Sequence, residues 1–237
     1  MDDNSSKFLE AFNAIEDWLR RQVNALPAED FHEVVSQVAV RHFGVKRHAN
    51  LLKKLGRLRN LVVHEYSRDK PMTVPTPYTV ERITAIRDEL LSPPSLYSVC
   101  TRPVVTCGSS DLVGKAAKAM RDGSFSQLPV YDGTIFVGLL TAGTVARWVA
   151  GNLADGQELM EEEKVADVLR HQEDPENHAF LGRSSTVLDG LAAFDSFLHR
   201  GKQLEAVLLT DSGRPTEPPL GIVTIHDIPK LRRAIRE

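Results

Sequence analysis

Apolar positions recur at steps of three and four through the first ninety residues. Phe8, Phe12, Ile15, Leu19 and Val23 make one such stripe, which predicts an amphipathic helix over 8–23. Pro27 suits a first helical turn, after which Phe31, Val34, Val35 and Val38 repeat the period and Gly44 suits the stop. A third helix carries Leu51, Leu55, Leu58 and Val62. Past Pro71, Pro75 and Pro77, Thr79 is placed to cap a fourth, with Val80, Ile83, Ile86 and Leu90 inward. The pattern predicts a four-helix bundle over 1–92, closed by Ser92-Pro93-Pro94.

Beyond Pro94 the period changes to short β-branched runs separated by helices, and the arrangement occurs twice. The first copy reads VVTC (104–107), a helix over 110–120, LPVYD (128–132), IFVGLLT (135–141) and a helix from Ala142. The second reads HAFL (178–181), a helix over 186–198, AVLLTD (206–211), LGIVT (220–224) and a helix from Ile225. Each copy is β-α-β-β-α, and the second has the longer hairpin, containing Arg214-Pro215-Thr216-Glu217-Pro218-Pro219, an insertion that costs little. The fold class is therefore α+β: a helical segment 1–92, a first repeat 95–155 and a second repeat 156–237.

Length and composition change little. The 237 residues can bury a core without staples, and 42% hydrophobic with 26% charged residues argues against disorder. No apolar run approaches a membrane span, and the acidic, polar start MDDNSSKFLEAF is unlike a secretory signal, so a cytoplasmic protein is expected. Cys100 and Cys107 make neither a disulfide framework nor a zinc site. The histidines His32, His42, His48, His171, His178 and His199 lack metal-ligand spacing, so no metal is expected. Phosphate loops, serine elbows and CxxC pairs are absent. Glu158, Glu161, Glu162 and Glu163 read as a solvated helix face in the connector between the copies.

Charge is distributed unevenly behind the net value of −3. Between Glu33 and Glu65 there is no acidic residue, while Arg41, Lys46, Arg47, Lys53, Lys54, Arg57 and Arg59 all occur. A surface made from that stretch would attract phosphates.

The second copy holds the clearest ligand chemistry, in GIVTIHDI (221–228). Thr224 ends a strand where a helix opens, a place that favours phosphate, and Asp227 offers a carboxylate to two adjacent ribose hydroxyls. A threonine followed three residues later by an acid also forms a capping box, so both readings stand for the isolated motif. Residues 99–237 resemble a tandem pair of CBS domains, modules that sense adenosine compounds. GIVTIHDI fits that family's strand-to-helix pattern, and SQLPVYD (126–132) supports it. The resemblance implies an adenosine nucleotide (AMP, ADP, ATP or a relative) as regulatory ligand near Thr224 and Asp227. It implies walls from Phe180 and Leu181 and from Glu205 and Ala206, with His226, Lys230 and Arg183 as candidate phosphate partners. In the first copy GLLTAGTV puts Thr144 where the carboxylate should be, which implies a half-site that is weak, empty or differently selective.

RLRNLVVHEY (57–66) lies in the acid-free stretch. Its Arg59, Asn60, His64 and Tyr66 resemble the signature of HEPN helical domains, many of which are metal-independent ribonucleases. That resemblance implies His64 as general acid or base, Arg59 as stabiliser of phosphoryl charge and Asn60 as orienting group, with RNA held by the neighbouring lysines and arginines. On one ideal helix Arg59 and His64 stand about 140° apart, whereas Arg59 and Tyr66 share a face, so a working site implies a homodimer or a distorted helix. Two functions follow: an adenosine-gated ribonuclease, or a non-enzymatic ligand sensor whose helical domain dimerises or binds a partner.

Overall fold

In the computed structural model the first apolar stripe becomes α1 (Asp3–Val23), which buries Phe8, Phe12, Ile15 and Leu19. The structure describes residues 3–64, 66–67, 70–71, 73–154 and 162–235, with side chains for 3–63, 73–154 and 162–235. Asp30 opens α2 (Phe31–Ala39): its carboxylate accepts from the backbone N–H of His32 at 2.8 Å and of Glu33 at 3.1 Å. Such a cap contributes about 1 kcal/mol.

The chain does not stop at Gly44. That residue lies in the first turn of α3 (Phe43–His64), where a Cβ would stand 2.9 Å from Leu90 Cδ2, so the missing side chain admits a neighbour instead of ending a helix. The fourth helix, α4 (Pro77–Leu91), is capped by Thr76, with Thr79 N–H donating to Thr76 Oγ1 at 3.2 Å. The start moves upstream of the expected Thr79 because Pro77 suits a first helical position, needing no N–H partner there. α1 packs on α4 and α2 on α3 around one core that includes Phe12, Ile15, Val35, Leu52 and Ile83. Glu89, only 8% exposed, accepts from Arg47 Nη1 at 3.1 Å and lies 3.0 Å from His48 Nε2. Arg47, expected on a phosphate-attracting surface, is exposed and at the same time paired with the buried Glu89. After α3, β1 (Tyr66–Ser67) pairs with β2 (Lys70–Pro71).

Contacts divide the chain into two compact units, one of Met1–Pro94 with Val187–Ala192 and Arg232–Glu237, the other of Ser95–Thr186 with Ala193–Leu231. The grouping of 187–192 and 232–237 with the helical residues is something no local pattern expresses.

The second unit opens with α5 (Leu96–Val99) and continues through α6 (Val113–Gly123), β3 (Gln127–Asp132), β4 (Ile135–Thr141) and α7 (Ala142–Ala154). β3 and β4 pair antiparallel, Gln127 opposite Thr141, and Gly133 at φ +64 makes the turn. Then come α8 (Val165–Val168), β5 (His178–Gly182), α9 (Val187–His199), β6 (Ala206–Thr210) and β7 (Gly221–Thr224). β6 is central, parallel to β5 and antiparallel to β7.

Three local expectations change. The run 104–107 is no strand, because the segment it belongs to, 101–107, serves different sheets at its two ends. Thr101 exchanges two hydrogen bonds with Ile222 of β7, at 2.9 and 3.1 Å, while Cys107 donates to Pro129 O at 3.1 Å and accepts from Tyr131 N–H at 2.8 Å. A segment crossing between sheets cannot keep a continuous ladder with either. The last helix begins as a 3-10 turn, Ile225–Asp227, and α10 spans Ile228–Ala234. Pro229 has no N–H to bond back to Ile225 O, so the α ladder opens only after the turn. Glu162 and Glu163 are not helical, and Glu158 and Glu161 lie outside the described residues.

Strands of both copies share one core: Leu139 of β4 packs with Ala206, Leu208 and Ile222, flanked by Val104, Phe136 and Phe180.

Candidate functional site

β7 ends at Thr224, which stands opposite Ala206 in the ladder, and the 3-10 turn then brings Asp227 back over the strand end. Asp227 Oδ2 accepts from the Thr224 N–H at 2.8 Å and from the Thr224 hydroxyl at 3.0 Å. The carboxylate therefore satisfies its own turn, as the capping reading of the motif requires. Its other oxygen, Oδ1, accepts no hydrogen bond among the described residues.

A cavity of about 350 Å³ lies against this turn, with Thr224, His226 and Asp227 on one side. Its other walls come from the first copy: Thr101 to Val105 without Arg102, then Gly123 to Gln127, and Pro129. The Thr101–Ile222 bridge lays the 101–105 segment beside β7, which is why a motif of one copy faces residues of the other.

A second cavity, of about 760 Å³, has the reciprocal composition: Thr141 and Thr144 of the first copy face Glu173, Asp174 and Asn177 and the stretch from Gly201 to Gln203 with Glu205 of the second. Thr144 N–H donates to Thr141 Oγ1 at 3.0 Å, and Thr144 is buried. Arg147 is paired with Glu173, and Lys202 with Glu176 at 2.5 Å and Asp174 at 3.4 Å. Gln127 Nε2 donates to Glu205 Oε2 at 3.2 Å, and Ser126, Gln127 and His226 line both cavities.

The residues expected around an adenosine ligand are thus distributed. Thr224, His226 and Asp227 meet at the first cavity, and Glu205 borders the second. Phe180 lies in a ring cluster, 5.1 Å from Phe136 and 5.6 Å from His178. Leu181 pairs with Leu209 in the β5–β6 ladder, and Ala206 is fully buried in the core. Arg183 stacks on Tyr97 at 4.8 Å, and Lys230 is exposed. The first-copy segments at 101–105 and 123–129 were missed by sequence reasoning, which placed the walls in the second copy itself, at Phe180, Leu181, Glu205 and Ala206.

Neither thiol is poised as a nucleophile at neutral pH. Burial first, then the carboxylates of Asp111 and Asp132, push Cys107 up to about 12, and burial also raises Cys100. Among the described residues no cluster of three or more His, Cys, Asp or Glu could hold a metal ion, and no helix is long and apolar enough to cross a membrane.

In the helical unit Arg59 and Asn60 border a cavity of about 270 Å³, together with Glu16, Arg20, Asp30 and His32. Arg59 Nη1 donates to Asn60 Oδ1 at 3.4 Å. Arg20 is committed to Glu16 at 2.6 Å and to Leu26 O at 2.8 Å. His64 is the last residue of α3, and its side chain lies outside the described residues. Tyr66 belongs to β1, so the helix face it was expected to share with Arg59 has ended before it; its side chain also lies outside the described residues.

No curated protein matches the chain. Among solved structures, a protein with CBS domains from Burkholderia ambifaria MC40-6 is 20% identical over 57% of this chain and 87% of its own, with a TM-score of 0.42. The CBS domain pair of protein MJ0100, solved with 5′-methylthioadenosine and S-adenosyl-L-methionine, is 20% identical over 60% of this chain and 97% of its own, with a TM-score of 0.43. A CBS domain-containing protein from Kribbella flavida DSM 17836 is 16% identical over 59% of this chain and 97% of its own, with a TM-score of 0.44. The family model of the CBS domain matches residues 96–151, the stretch that carries the first repeat.

Proposed function

We propose that residues 95–237 act as a CBS pair that binds an adenosine compound and thereby regulates the helical unit, which associates with a second copy or a partner and does not itself catalyse. The observation that carries this reading is the cavity of about 350 Å³ built from both copies, with Thr224 and Asp227 on one side and first-copy segments on the other. Its volume falls in the range of small-ligand sites. Val104, Val105, Phe125 and Ile222 offer apolar faces to a purine, and Asp227 Oδ1 is open to ribose hydroxyls. A ligand held there ties the two copies together. It regulates only through a difference in affinity between two arrangements of the protein.

The alternative, a ligand-gated ribonuclease acting on RNA through Arg59, Asn60 and His64, is favoured by one observation: Arg59 and Asn60 open onto the same cavity. Against it, that cavity brings Arg20 and Arg59 together with Glu16 and Asp30, so its cations are matched by carboxylates where RNA would need a positive cradle.

Calorimetry on the full chain with adenosine and its derivatives tests the reading. Binding is expected, and Asp227→Ala should weaken it by about 10-fold to 100-fold, the loss of one or two hydrogen bonds to a charged group. Absence of binding by every adenosine compound, or indifference to Asp227→Ala, would remove the proposal.

A further inference from the structure

Taking that cavity as an adenosine site, we infer that it selects compounds whose 5′ substituent is uncharged or cationic and discriminates against nucleotides carrying phosphate. Among its lining residues the ionisable side chains are Asp227 and His226, and neither lysine nor arginine is present. A phosphate moved from water into walls such as Val104, Phe125 and Ile222 needs a cation or several free donors to replace its hydration.

The two donors that Thr224 itself offers at the expected phosphate position are already engaged. Both the N–H and the hydroxyl of Thr224 point at Asp227 Oδ2, at 2.8 and 3.0 Å. A phosphate oxygen close enough to take either donor would sit beside that carboxylate, like charge against like charge. Two nearby guanidiniums are directed elsewhere: Arg102, next in sequence to the wall residue Thr101, lies 4.1 Å from the centre of the Tyr97 ring, and Arg183 lies 4.8 Å from it. The same Asp227 that repels phosphate attracts a cation and accepts from a neutral ribose, so one group produces both recognition and selection.

Titration calorimetry of the 237-residue chain in metal-free buffer, with adenosine, 5′-methylthioadenosine, S-adenosylmethionine, AMP and ATP as separate probes, tests this. The first three are expected to bind at least about tenfold more tightly than AMP, with ATP weaker still. Asp227→Asn, which keeps the acceptor and removes the charge, should narrow the gap between AMP and adenosine, a change that simple loss of structure would not produce. AMP or ATP binding as tightly as adenosine would overturn the selectivity while leaving the ligand-sensing reading in place. No binding by any of the five would overturn both.

Discussion

Gly221 begins β7 at a point where a single methyl group tests the packing behind the cavity that Thr224 and Asp227 border. A Cβ there would lie 2.3 Å from Cys100 Sγ and 3.2 Å from Cys100 Cβ. Unstrained heavy-atom contacts run at about 3.5–4.0 Å, so the sulfur stands more than about 1 Å too close. Cys100 is 7% exposed and its thiol donates to Tyr97 O at 3.3 Å, which leaves it little freedom to withdraw. Gly221→Ala should therefore destabilise the second unit by about 1–3 kcal/mol, the usual penalty for overpacking. Any shift of β7 also strains the paired hydrogen bonds between Ile222 and Thr101, at 2.9 and 3.1 Å, which set the 101–105 wall. Cys100→Ala alone should cost about 1 kcal/mol for the small void. Combined, the new methyl occupies the space the sulfur vacates, so the double variant should be about 1–2 kcal/mol more stable than the sum of the single changes predicts. The assay is urea unfolding followed by Trp148 fluorescence in a Trp18→Phe background, which leaves one tryptophan reporting from the second unit. With about 1–3 kcal/mol per molar urea, a 2 kcal/mol loss moves the midpoint by about 1 M. Strict additivity of the two substitutions would refute the claim that the Cys100 thiol is the obstruction.

Glu89→Ala removes the acceptor of Arg47 and the partner of His48 within the helical unit and should cost about 2–3 kcal/mol, with Glu89→Gln retaining part of it. Thermal unfolding should fall by at least about 8 °C, and an unchanged melting curve would mean the ion pair carries no stability. Mixed RNA incubated with the protein in EDTA, with and without adenosine, should stay intact. Cyclic-phosphate ends that disappear in His64→Ala would instead establish the ribonuclease reading.

Particular residues show how far the sequence reaches. β4 spans Ile135–Thr141, the limits its apolar run predicts, and α1 to α4 follow their stripes, because burial of one face and local backbone chemistry act within a few residues of chain. The misplaced boundaries were local competitions: Pro77 shifted a cap from Thr79 to Thr76, and Gly44 served Leu90 instead of a helix end. The Thr224–Asp227 pair was legible as a motif, and its capping geometry was a stated alternative. Sequence by itself determined the change of period after Pro94, the α-β-β-α order that both copies share and the chemistry available at the second helix start. Only the tertiary structure decided that Thr101 crosses to β7, that each motif therefore faces segments of the other copy, and that Glu205 borders a different cavity from Asp227. The physical reason is that pairing across copies depends on strand exchange over more than a hundred residues, and neither periodicity nor propensity records which distant backbone completes a sheet edge.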